Sequence, residues 1–247
     1  GSHIKVWYPG TLQPECTITK EQEDYFESWR EKFGITKKYV CIFSRDDGYH
    51  PDDKHSKFRN SNFTDLIPTI KYLKEKDYQI IRVGRGHLED ESEDSDLYLD
   101  YNKIKSADKL IDVLLLKYCD FYIGSNSGII AIPFMFNKRI LIHNMFPAGI
   151  RLPYKKGVYI LKKYKKNGKT IPYNKIPKDL MLTENQEILQ KRGFDVESNT
   201  ANEIKSFVRS QVDSNFQNVI SPPKNSYIYG TDCELDATWF ERNNNLF

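Results

Sequence analysis

Between Lys38 and His143 the chain alternates short apolar runs with amphipathic segments, and this constrains its fold more than any other feature. Residues 38–43, 77–84, 120–124 and 139–143 are rich in β-branched and aromatic side chains, as buried strands are. Between them, residues 63–76 place Leu66, Ile67, Ile70 and Leu73 on one helical face, with Pro68 tolerated in the first turn. A second helix, with Ser106 as its cap, carries Leu110, Val113, Leu114 and Tyr118, and a third starts after Gly128. No two-residue hairpin signal interrupts these residues. The pattern predicts an α/β fold: a Rossmann-like parallel sheet with helices on both faces.

The flanks are read more coarsely. Residues 1–35 form a leader and an amphipathic helix starting at Thr19, and the opening Gly-Ser-His reads as a cleavage scar. The natural protein is therefore expected to extend upstream. Residues 36–213 are the main domain, with a strand at 157–161 and helices opening at Thr183 and Thr200, each with a capping-box pattern. Residues 214–247 are a connector and a final short helix that packs on the domain through Trp239 and Phe240.

Charge excludes some functions. A net charge of +3 is too near neutral to argue for nucleic acid. Residues 89–100 carry seven acids, and residues 155–178 carry nine lysines with no acid. The lysines suit a solvated face or a peripheral contact with an anionic membrane surface. There is no apolar run long enough to span a bilayer. The four cysteines show no CxxC or His-paired spacing, which points to a reducing compartment and no structural zinc.

In a parallel sheet the carboxyl ends of the strands gather at one edge, where ligands bind. Here they bring up Arg45, Asp46 and His50 after the first strand, Arg82 and Gly84 at the second, Ser125, Asn126, Ser127 and Gly128 after the third, and His143 and Asn144 after the fourth. The Ser125–Gly128 turn opens a helix, whose free N–H groups and dipole favour an anion. With Arg45, Arg82 and Arg59 around it, a phosphate or diphosphate is the expected ligand. GxxxxGK[ST], GxGxxG and GxSxG motifs are all absent, which argues against a P-loop NTPase, a nicotinamide dehydrogenase and a serine hydrolase. Asp46-Asp47 and Asp52-Asp53 are read as polar turn residues rather than metal ligands.

Four segments, in order, resemble a group of bacterial glycosyltransferases: Ser44-Arg-Asp, Arg59-Asn-Ser with the helix after it, Tyr78-Gln-Ile-Ile-Arg-Val-Gly84, and Phe121-Tyr-Ile-Gly-Ser-Asn-Ser-Gly128. The resemblance implies the donor-binding half of a GT-B enzyme. It implies no cofactor and no metal, only a nucleotide-diphosphate sugar as donor substrate and a glycan or lipid-linked acceptor. It assigns Arg45, Arg82, Gly84 and Ser125–Gly128 to the donor diphosphate, and Arg59 and Asn60 to the ordering of the first loop over it. Asp46 and His50 are the local candidates for the catalytic base. The acceptor domain is expected upstream or in another chain, and the protein is expected in the cytoplasm at the inner face of the membrane. The competing classes are a non-catalytic nucleotide-sugar-binding module and a nucleotide-sugar epimerase-like enzyme.

Overall fold

The computed structural model describes residues 17–48, 52, 55–84, 95–104, 108–150, 152, 155–223 and 233–247. Helix α1 (Lys20–Lys32) is capped by Thr19 in a reciprocal capping box with Gln22, and it buries Phe26 and Trp29. Strand β1 (Tyr39–Phe43) is buried at every position. A 3-10 turn then leads into α2 (Ile67–Glu75), where Pro68 sits in the first turn and its missing N–H costs nothing. Strands β2 (Gln79–Arg82) and β3 (Leu99–Asp100) follow, the latter a short edge strand that periodicity does not reveal.

Helix α3 (Lys109–Tyr118) is capped by Asp108, whose Oδ1 accepts from the Leu110 N–H at 2.9 Å; Ser106, the expected cap, lies outside the described residues. Strand β4 (Phe121–Ser125) enters a single 3-10 turn and then α4 (Ala131–Met135). Strands β5 (Arg139–Met145) and β6 (Gly157–Leu161) complete the central run.

The lysine-rich stretch then folds into β7 (Lys163–Lys166) and β8 (Lys169–Thr170). Asn167 and Gly168, both left-handed, form their turn, the backbone combination a two-residue hairpin requires. Helices α5 (Lys178–Leu182) and α6 (Gln186–Lys191) come next, with Asn185 rather than Thr183 as the cap of α6. Strand β9 (Phe194–Glu197) pairs with β7 in a separate antiparallel sheet. Helix α7 (Ala201–Asp213) starts in the Thr200–Glu203 capping box that its sequence announces. Strands β10 (Val219–Ile220) and β11 (Glu234–Asp236) and helix α8 (Ala237–Asn243) close the chain. The C-terminal segment therefore extends the main sheet as well as packing on it.

The main sheet runs β10-β11-β6-β5-β4-β1-β2-β3. All neighbours are parallel except β10 and β11. Its first six strands have the order 3-2-1-4-5-6 of a Rossmann-like sheet. Helix α3 packs with α4, and α1 joins them by stacking Phe26 on Tyr118. Helices α2, α7 and α8 form the other group. Right-handed crossovers that run in opposite directions from β1 and β4 put α2 and α4 on opposite faces. Strands covered on both sides must be apolar throughout, which is why β1, β4 and β6 read as unbroken buried runs.

Candidate functional site

Strands β1 and β4 are neighbours, yet their connections leave the sheet in opposite directions. The crevice above their carboxyl ends is the switch point, where loops from the two halves part and leave room for a ligand. Two serines tie down the backbone beneath it, one between the strand ends and one between the end of β1 and the loop that follows it. Ser125 Oγ accepts from the Arg45 N–H at 2.8 Å, and Ser44 Oγ donates to the Ser61 carbonyl at 2.9 Å. Above these ties lies a cleft of about 680 Å³ with Phe43 and Ile129 as its apolar lining. Its polar lining comes from Arg45, Asp46, Arg59, Lys109, Asp112 and Ser127, with the backbone of Gly84 and Gly128.

The cleft brings together Arg45, Asp46, Arg59, Gly84, Ser127 and Gly128 of the expected set. Ser127 takes the cap position of the turn after β4, but its hydroxyl makes no capping bond. A Cβ built on Gly128 would meet nothing within 4 Å, so a ligand can approach that backbone closely. Gly84 is needed for a different reason. Its φ of +83° is left-handed, and a Cβ there would stand 2.5 Å from the Phe43 ring.

Arg59 reaches the cleft wall with its guanidinium held in place. One terminal nitrogen donates to Glu184 Oε2 at 2.9 Å and the other to the Asn126 carbonyl at 3.1 Å. Its Nε is shielded from solvent and has no acceptor among the described residues. Arg45 is more fully engaged by its own loop. It donates to the Ser56 carbonyl and Oγ, both at 3.1 Å, and to Asn60 Oδ1 at 2.8 Å. Asp46 Oδ1 accepts from the Gly48 N–H at 2.8 Å, closing a local turn at the rim.

Other expected residues stand behind the cleft rather than in it. Ser125 is fully buried and serves the β1–β4 tie. Asn126 Nδ2 donates to the Phe146 carbonyl at 3.2 Å, leaving only its backbone oxygen to steady Arg59. Asn60 orients Arg45 and also donates to Asp47. Arg82 departs furthest from expectation. It is 6% exposed, lies 4.1 Å from the Phe63 ring centroid, and pairs with Asp100 on β3 at 3.5 Å. It is not a lining residue of the cleft. His50 lies outside the described residues.

Sequence reasoning missed Lys109 and Asp112, which α3 carries to the cleft from a helix read only for its apolar face. It also missed Glu184, whose partner Arg59 is remote in sequence, and the buried Lys162. His143 is fully buried; burial pushes its imidazole down to about 3, so it is neutral at ordinary pH. Among the described residues, no three His, Cys, Asp or Glu side chains gather as metal ligands.

The lysine-rich stretch is divided among several roles rather than forming one face. Lys162 is buried, Lys163 pairs with Glu203, Lys165 pairs with Glu197, and Lys166 lies over the Phe194 ring. Lys155, Lys169, Lys175 and Lys178 stay on the outside. Among the described residues no helix is long and apolar enough to cross a membrane.

Among the described residues, three cations, two carboxylates, one hydroxyl without a capping bond and an open glycine backbone line the cleft, which suits an anionic ligand with an apolar portion. Fold and cleft together define a class: a Rossmann-like α/β protein with a basic cleft at the switch point of its sheet. No family model, curated protein or solved structure matches the chain.

Proposed function

We propose that the chain binds the diphosphate of a nucleotide sugar in the β1–β4 cleft and is the donor-binding half of a GT-B-type glycosyltransferase. The observation that supports this is the convergence of Arg59, Lys109, Ser127 and the open Gly128 backbone at the switch point. In sugar transfer the bond between the anomeric carbon and the diphosphate oxygen breaks while the acceptor oxygen bonds to that carbon. Negative charge grows on the departing diphosphate. Cationic and N–H donors fixed beforehand stabilise that charge without reorganising. Arg59, braced by Glu184 and Asn126, is the side chain best placed for that task. Asp46 at the rim is the local candidate to accept the acceptor's proton.

The acceptor is a glycan or a lipid-linked acceptor, presented by a domain upstream or in another chain at the cytoplasmic face of the membrane. Flotation with anionic and neutral vesicles tests the membrane contact: the outer lysines predict binding to anionic vesicles only, and equal binding to both would remove it. A non-catalytic nucleotide-sugar-binding module is the second reading, favoured by the engagement of Asp46 with the Gly48 N–H. A thermal-shift panel of nucleoside diphosphates and nucleotide sugars tests the binding claim, because a ligand specific to the folded state raises the midpoint. Slow hydrolysis of the stabilising nucleotide sugar separates the enzyme from the module.

A further inference from the structure

We infer that Lys162 is a positioning residue whose ammonium latches the loop 56–62 to the sheet edge and so sets where Arg45 and Arg59 stand at the cleft. Lys162 directly follows β6 and is 2% exposed. Its Nζ donates to the Asn60 carbonyl at 2.5 Å and to Ser198 Oγ at 3.0 Å. Among the described residues no carboxylate pairs with it. A buried ammonium without a counter-ion is costly, and an apolar side chain of like length would fill the same space without that cost. What the ammonium adds is directed donors, and their target is informative.

Asn60 is the hub of the loop. Its carbonyl takes Lys162, its Oδ1 takes Arg45, and its Nδ2 donates to Asp47. The next amide, that of Ser61, donates to the Arg45 carbonyl at 2.8 Å. Arg59, the preceding residue, carries its guanidinium into the cleft wall. One donor at Lys162 thus holds the Asn60–Ser61 backbone, which directly follows Arg59 and hydrogen-bonds to Arg45.

Among the described residues, several ionisable groups face the ammonium and its loop. His143 on β5 is held neutral down to about 3. Tyr164 on β7 and Tyr173, whose hydroxyl donates to the Lys162 carbonyl at 3.0 Å, are pushed above the ordinary phenol range by burial. Arg45 and Asp47 meet the far side of Asn60, and Glu203 on α7 is held by Lys163. Burial alone lowers the Lys162 amine to about 8. Its proton is therefore lost as pH rises through that value, and the charge-assisted bond to Asn60 weakens with it.

The consequence for ligand binding rests on the proposed phosphate site; the loop's own behaviour does not. Hydrogen-exchange protection factors of the Asn60 and Ser61 amides are measured at pH 7 and pH 9.5, with the Ile123 amide in β4 as internal reference. In the wild type they should fall at least tenfold relative to Ile123 between the two pH values. Lys162→Met should be low at both, and Lys162→Arg, charged throughout, should show no fall. Protection of the wild-type loop that does not change with pH, or a Lys162→Met loss shared equally by Ile123, would overturn the inference. Calorimetry with inorganic pyrophosphate is run alongside. Affinity that tracks the loop supports both proposals, whereas the expected exchange profile without pyrophosphate binding removes the phosphate reading and leaves the latch standing.

Discussion

Replacing Arg82 separates two accounts of the strand-end arginines. In the structure its guanidinium belongs to the core: 7% of the side chain is exposed, Asp100 beside it is 6% exposed, and the Phe63 ring lies 4.1 Å away. Arg82→Met keeps most of the packing volume but leaves Asp100 buried without its counter-charge. Removing one partner of a buried pair costs about 3–5 kcal/mol. The long 3.5 Å contact argues for the lower end, with the lost cation–π contact adding about 0.5–2 kcal/mol. At a urea m-value of about 3 kcal/mol/M the unfolding midpoint should fall by about 1 M or more. Asp100→Asn in the Arg82→Met background should recover part of the loss. It removes the stranded charge and keeps the Oδ1 that accepts from the Asn102 N–H. Nucleotide-diphosphate affinity, measured by calorimetry well below the midpoint, should change less than about twofold. An unchanged midpoint with affinity weakened tenfold would place Arg82 in the cleft instead of the core.

Two glycines should behave oppositely. Gly84→Ala forces a Cβ into the Phe43 ring at a left-handed φ and should lower stability by about 1–3 kcal/mol in chemical denaturation. Gly128→Ala meets open space, so it should leave the unfolding midpoint alone and weaken nucleotide-diphosphate binding. His143 should shape the acid limb of stability. Its folded-state pKa of about 3 lies below the ordinary 6.5, so its contribution is present above 6.5 and is lost as pH falls toward 3. One proton gives a slope of about 1.4 kcal/mol per pH unit in that window, and His143→Gln should flatten it. Equal slopes in denaturation series from pH 7 to pH 4 would contradict the assignment.

What the sequence discloses divides along physical lines. Strands β1, β2, β4 and β5 are legible because a strand covered on both faces must be apolar throughout, and such runs stand out. That same property hides orientation: with both faces of β2 buried, nothing local tells whether Arg82 turns toward the cleft or toward Asp100. Its partner lies on β3, whose two residues are too few for a periodic signal. The Asn167-Gly168 turn carries a strong hairpin signal, but its flanks read as a lysine run rather than as strands. Ser127 and Gly128 are visible in the sequence as a strand–turn–helix junction. Lys109 is not, because a helix read for its apolar face gives no account of what its polar face approaches. Lys162 is one of nine lysines in its stretch, and only tertiary burial singles it out.

The proposed diphosphate site at the switch point depends most on Arg59. Calorimetric titration of the wild type and Arg59→Met with the nucleoside diphosphate or nucleotide sugar that most raises the unfolding midpoint tests it directly. Loss of a charge-assisted contact worth about 1.5–3 kcal/mol corresponds to an affinity about ten- to a hundredfold weaker. The expected result is saturable binding to the wild type and a loss of that size in the variant. Binding that Arg59→Met leaves intact, or no binding by any ligand of the panel at millimolar concentration, would contradict it.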